Sequence, residues 1–156
     1  MTSPITTALL DEQRLITTLV DLMKQEQQFL VSADSDGLNT ITPQKSALVQ
    51  QAAVLAAQRL QALAAAGLPA TEAGMEQWLA NSNDDAARGA WRELLALTRA
   101  AKEQNRINGM LINKQMANTQ VILNAMRTPT GGADSGVYGP GGQTVGGGPS
   151  RRYVVG

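Results

Sequence analysis

Leu9, Ile16, Met23 and Leu30 recur every seven residues, and Leu15, Leu22 and Phe29 form a second line beside them with Leu19 between. Apolar residues at that spacing fall on one side of a helix, and about four heptads of it commit the segment to pairing along its length with other helices. Glu12 and Glu26 interrupt the stripe, so it is not a simple zipper. Ser3 and Pro4 suit an N-cap and first turn, since proline's missing N–H is unpaired there anyway. The first helix is therefore predicted over residues 4–33, with the turn-forming run Asp34-Ser35-Asp36-Gly37 ending it.

A second helix is predicted over 43–66, with Thr42 as N-cap and Pro43 at its first position. It carries Leu48, Val49, Leu55, Leu60 and Leu63 among many alanines, which let helices approach closely, and Gly67 and Pro69 stop it. Thr71 opens a short third helix, 71–80, bearing Met75, Trp78 and Leu79. Ser82, Asp84 and Asp85 open a fourth, 84–127, with the acidic pair at its positive end and Thr128-Pro129-Thr130 after it. The fold class is all-α: an antiparallel bundle of long helices with no sheet. Residues 1–128 read as the helical domain. Ten of the fifteen glycines lie between Gly131 and Gly156, so 129–156 read as a flexible tail, because such a chain cannot offset its ordering entropy by burial.

Composition removes whole classes of chemistry. The chain has no cysteine and no histidine, which excludes disulfides, thiolate nucleophiles and Ser-His-Asp triads. Metal ligation by carboxylates alone finds no support in the sequence, and Gly139–Gly148 lacks the Lys-Ser/Thr of a phosphate loop. Thirteen basic residues balance thirteen acidic ones, so no charge excess draws nucleic acid or an anionic membrane. No apolar run is long enough to span a bilayer. The absence of cysteine, together with no basic-then-apolar leader, favours the cytoplasm.

The end of the fourth helix is the candidate site. Ile107, Met110, Leu111, Ile112, Met116, Val121, Leu123 and Met126 spread over more than one side of it, among Asn, Gln and Thr. If the long helices run up, down and up, this one outruns its partners from about Ile112. Its apolar surface then serves as extra core, as a homodimer seam, or as a groove for another protein's helix. In the tail, Tyr138 sits within Tyr-Gly-Pro-Gly-Gly-Gln, either an incidental aromatic or a turn presenting one ring.

Asn108-Gly109-Met110-Leu111-Ile112, Gln115-Met116 and Gln120 to Met126 resemble the C-terminal helix of FlgN-type flagellar export chaperones. Tyr138 to Thr144 and the terminal Arg151-Arg152-Tyr153-Val154-Val155 resemble that family's tail, and Thr42 to Leu48 is the best match upstream. The resemblance implies a non-enzymatic cytosolic chaperone of flagellar type III secretion. Its clients would be hook-filament junction (hook-associated) proteins, kept from early assembly and brought to the export gate. It implies client binding along Ile107–Met126 and export-gate contact at Tyr138. A structural homodimeric coiled coil with no export role is the rival reading.

Overall fold

The computed structural model describes residues 2–127, which form four helices and no strand: α1 (Pro4–Val31), α2 (Ser35–Ala65), α3 (Glu72–Asn81) and α4 (Asp85–Arg127). The chain divides into two units, residues 1–112 and 113–156. The first unit holds the core. The second is described only over 113–127, the last turns of α4. The tail expectation, 129–156, and Tyr138 lie outside the described residues.

The all-α reading is borne out, and so are most helix ends. Ser3 caps α1 by accepting the Thr6 N–H at 3.0 Å, and Thr71 caps α3 by accepting that of Gly74 at 3.1 Å. Gly67 adopts φ +79 past the end of α2. The Leu68 and Gly67 N–H groups donate to the Leu63 and Ala64 carbonyls, the paired bonds by which a left-handed residue closes a helix. Gly74 is required sterically: a Cβ there would stand 1.8 Å from the Pro69 carbonyl oxygen.

The start of α2 corrects the sequence reading. The helix begins at Ser35, not 43, and Asp34-Ser35-Asp36-Gly37 is its first turn rather than a loop. Asp34 is the N-cap, accepting the Gly37 N–H at 2.9 Å. Thr42 is no cap; its hydroxyl donates to the Leu38 carbonyl one turn back at 2.8 Å. Pro43 lies inside the helix. Its missing N–H leaves the Asn39 carbonyl without a helical donor, but both residues are exposed, so water can serve. Burial of Ile41 in that stretch outweighs the local preference to break. Gly37 has a reason beyond turn formation, since a Cβ there would meet the Phe29 ring at 2.6 Å. Only Ser32, Ala33 and Asp34 join α1 to α2, and Ala33 takes φ 54 to make the reversal.

Side-chain bonds give the directions of the long helices within the first unit. Glu12 pairs with Arg59 and Glu26 with Lys45, so α1 and α2 run antiparallel. Arg59 stacks over Trp91, and Lys45 donates to Asn105, so α2 and α4 are antiparallel too. Thr6 donates to Asp84 at 2.9 Å and Gln104 to Gln27 at 2.9 Å, so α1 and α4 run parallel. The up-down-up arrangement follows. Its core joins Leu9, Ile16, Leu19, Val20 and Met23 of α1 to Leu63, Met75, Leu79, Trp91 and Leu94. Trp78 packs half-buried against it.

Candidate binding face and the polar layers beside it

The buried positions of α4 include Ala87, Leu94, Ala101 and Asn108, seven residues apart. Its contribution to the core is thus large upstream, where Ala90 and Trp91 add to that line, and thin downstream, where only Ala101 and Asn108 are buried. The downstream contact is polar. Asn108 is 1 % exposed. Its amide donates to the Met23 carbonyl at 2.8 Å and to Glu26 Oε1 at 2.6 Å, and its oxygen accepts from Gln104 at 3.0 Å. Lys45 Nζ donates to both Glu26 oxygens, at 2.9 and 3.2 Å, and to Asn105 Oδ1 at 3.0 Å. Every polar atom of Asn108 has a partner, as a buried amide requires.

A second polar layer lies upstream. Glu12 receives Arg59 Nε at 2.7 Å and Nη2 at 3.3 Å, a two-point contact between a buried carboxylate and a half-buried guanidinium. The same guanidinium sits 5.1 Å from the Trp91 ring centroid, and Trp91 Nε1 donates to Glu76 at 2.7 Å. Glu12 and Glu26, which mar the heptad stripe, are thus each matched by a cation on α2 fourteen residues from the other, as they are themselves. Asp84, at the start of α4, accepts the Ala87 N–H at 2.9 Å as well as the Thr6 hydroxyl. Those two bonds, the backbone one foremost, hold its carboxyl below the usual aspartate range.

The predicted site residues separate into groups. In the first unit Ile107 and Leu111 are half-buried, whereas Met110 and Ile112 are exposed. The Met110 sulfur lies 3.0 Å from Arg106 Nη1, itself paired with Glu103. In the second unit every residue of 113–127 is exposed except Gln115, which is half-buried. Met116 is 65 % exposed, Leu123 46 % and Met126 77 %. At about 100° per residue these three share one side of the helix within an arc of roughly 80°. Ile122, 57 % exposed, widens that arc to about 120°; the sequence reading passed over it, although it stands four residues before Met126. Val121, 66 % exposed, points roughly 160° away from Leu123 and does not join the face. Between Lys114 and Arg127 there is no charged residue.

Among the described residues no group of three or more His, Cys, Asp or Glu could hold a metal ion, and no helix is long and apolar enough to cross a membrane. A family model described as FlgN protein matches residues 1–146. No curated protein and no solved structure matches the chain.

Proposed function

The chain belongs to the FlgN family of flagellar export chaperones, and we propose that it binds a hook-filament junction protein by seating an amphipathic helix of that client on the Met116, Ile122, Leu123 and Met126 face of α4. One observation carries the reading: four large apolar side chains stand exposed on one side of a helix that has no charged residue between Lys114 and Arg127. Such a face is costly to leave in water and fits the apolar stripe of a second helix. Methionine at two of the four positions suits repacking against related clients. Ile107, Met110, Leu111 and Ile112 of the first unit are client contacts in their own right, and Val121 points roughly 160° away from Leu123.

Covering the client's own assembly face suppresses its polymerisation by mass action. This is binding rather than catalysis, and it takes place in the cytosol before export. Tyr138 serves a second contact, with the export-gate protein. It lies past Pro129 in the sequence, apart from the apolar face of α4.

The test is titration of a peptide spanning the C-terminal helical region of a hook-filament junction protein into the full chain and into Leu123→Asp and Met116→Asp. Both variants should keep wild-type helicity and lose at least about tenfold in affinity, because each places an unpaired charge in an apolar contact. Unchanged affinity in both would sink the proposed face. A stable homodimer by light scattering that ignores added peptide would move the same surface to self-association. Tyr138→Ala should leave peptide binding intact and weaken capture by the export-gate protein.

A further inference from the structure

We infer that the Glu26–Lys45–Asn108 layer is a latch. On this reading, α4 from about Gln104 to Ile112 opens from the α1–α2 hairpin as a separate unit of motion, while the upstream part of the same helix stays closed.

Two independent observations support this. The first is the distribution of burial along α4. Upstream of Thr98 the helix is held by Ala87, Ala90, Trp91 and Leu94, all in the core. Downstream its buried residues are Ala101, a single methyl group, and Asn108, a polar amide. The bonds that hold the downstream part are those of Gln104, Asn105 and Asn108 to Gln27, Lys45, Glu26 and the Met23 carbonyl. Water can replace every one of these, whereas it cannot replace the burial of Trp91 and Leu94. Closing also covers the Glu26 carboxylate, whose side chain is 7 % exposed against 21 % for Lys45. Opening rehydrates that pair without breaking it, because both partners belong to the hairpin, so the lost contact is partly offset.

The second observation is Gly109. A Cβ added there would meet nothing within 4 Å. No close approach requires glycine at that position, and φ is not positive there. Glycine in a helix interior weakens it relative to alanine. It lies within the 104–112 segment, directly after the latch amide, and lowers the helical stability of that segment relative to the helix upstream.

The consequence concerns Ile107 and Leu111, half-buried when the latch is closed. Opening releases them, so the apolar surface available to a client is larger than the closed form presents. This step rests on the proposed client-binding role; the opening itself does not. Polar closure is suited to such a segment, since an apolar seam would hold it shut and a fully exposed one would stay sticky.

Hydrogen exchange on the full chain, read by mass spectrometry, tests the motion with no client present. Amides of 104–112 should exchange at least about tenfold faster than those of 90–101 in the same helix. In the variant Glu26→Leu, Lys45→Met, Asn108→Leu, and separately in Gly109→Ala, that difference should narrow while the upstream rates hold or slow. Equal protection of the two segments in the wild type overturns the latch. So does an undiminished difference in Gly109→Ala, which reads the device even if the triple variant does not fold. The client peptide then reads the consequence: its affinity should fall in Gly109→Ala by the factor by which opening is suppressed. If exchange behaves as stated and the wild type binds no peptide, the latch stands and the client assignment fails.

Discussion

Arg59→Met should be among the most damaging substitutions in the chain. The guanidinium is one of few groups that serve all three long helices: it makes two bonds to Glu12 of α1 from its place on α2, and covers Trp91 of α4. The side chains of Arg59 and Glu12 are only 11 % and 8 % exposed. Methionine preserves much of the volume, so little cavity forms. What remains is a carboxylate among Leu9, Ile16 and their neighbours with its cation gone. Removing one partner of a buried pair costs about 3–5 kcal/mol, and the lost cation–π contact adds up to about 1. A domain of this size has roughly 5–15 kcal/mol in total. The midpoint of thermal unfolding should fall by about 10–15 °C, at roughly 3 °C per kcal/mol. Urea titration followed by circular dichroism measures the difference directly. The control is Glu12→Leu with Arg59→Met, which removes the orphan charge and should recover most of the loss, since an apolar replacement of a buried pair is often neutral. A single substitution costing under about 1 kcal/mol, or a double variant no better than the single, would show that Glu12 reaches water and that its burial was misjudged.

Pro43→Ala should stabilise the protein by about 1–3 kcal/mol in urea titration, because it restores the helical bond to the Asn39 carbonyl inside α2 and replaces proline by the best helix former. Ala33→Gly should add about 1 kcal/mol by relieving a left-handed φ of 54, read in the same assay. Stability should decline as pH falls below about 4 in part through Asp84: its folded carboxyl lies below the usual range, so its contribution is complete above the ordinary aspartate value and is lost as pH drops through the folded one. Thr6→Val removes one of the bonds responsible, and the acid limb of its unfolding profile should flatten relative to wild type.

The sequence showed α1 clearly because its seam is written in large residues at strict spacing, and α3 and α4 because their caps are unambiguous. It misplaced the start of α2 for a physical reason. Asp34 to Gly37 and Thr42-Pro43 are two competing start signals eight residues apart, and local chemistry favours the one with proline. Burial of Ile41 and the three-residue reversal at Ala33 decide for the other, and neither is visible without knowing where α1 packs. Glu12 and Glu26 looked like defects for the same reason. Their cations, Arg59 and Lys45, are a full helix away in the chain, and only the antiparallel pairing brings them together.

The exposed apolar face of α4 was legible in part. Exposed Met116, Leu123 and Met126 could be picked out because large apolar residues recur at helical spacing in a segment without charge. Val121 falls on a different line of the helix from these three; counting rotation about the axis sets it roughly 160° from Leu123 and brings in Ile122 instead. The α4 seam was harder. Its line of Ala87, Leu94, Ala101 and Asn108 contains a single large apolar residue, so a search for apolar periodicity finds the neighbouring Trp91 and Leu95 before it. A helix can belong firmly to a core through alanines and one satisfied amide, and such a seam is quiet in sequence because closeness of approach, rather than hydrophobic area, holds it. That quietness has a physical consequence for α4: where the seam is written in alanine and asparagine, the hold is weakest, and the apolar face begins just beyond it.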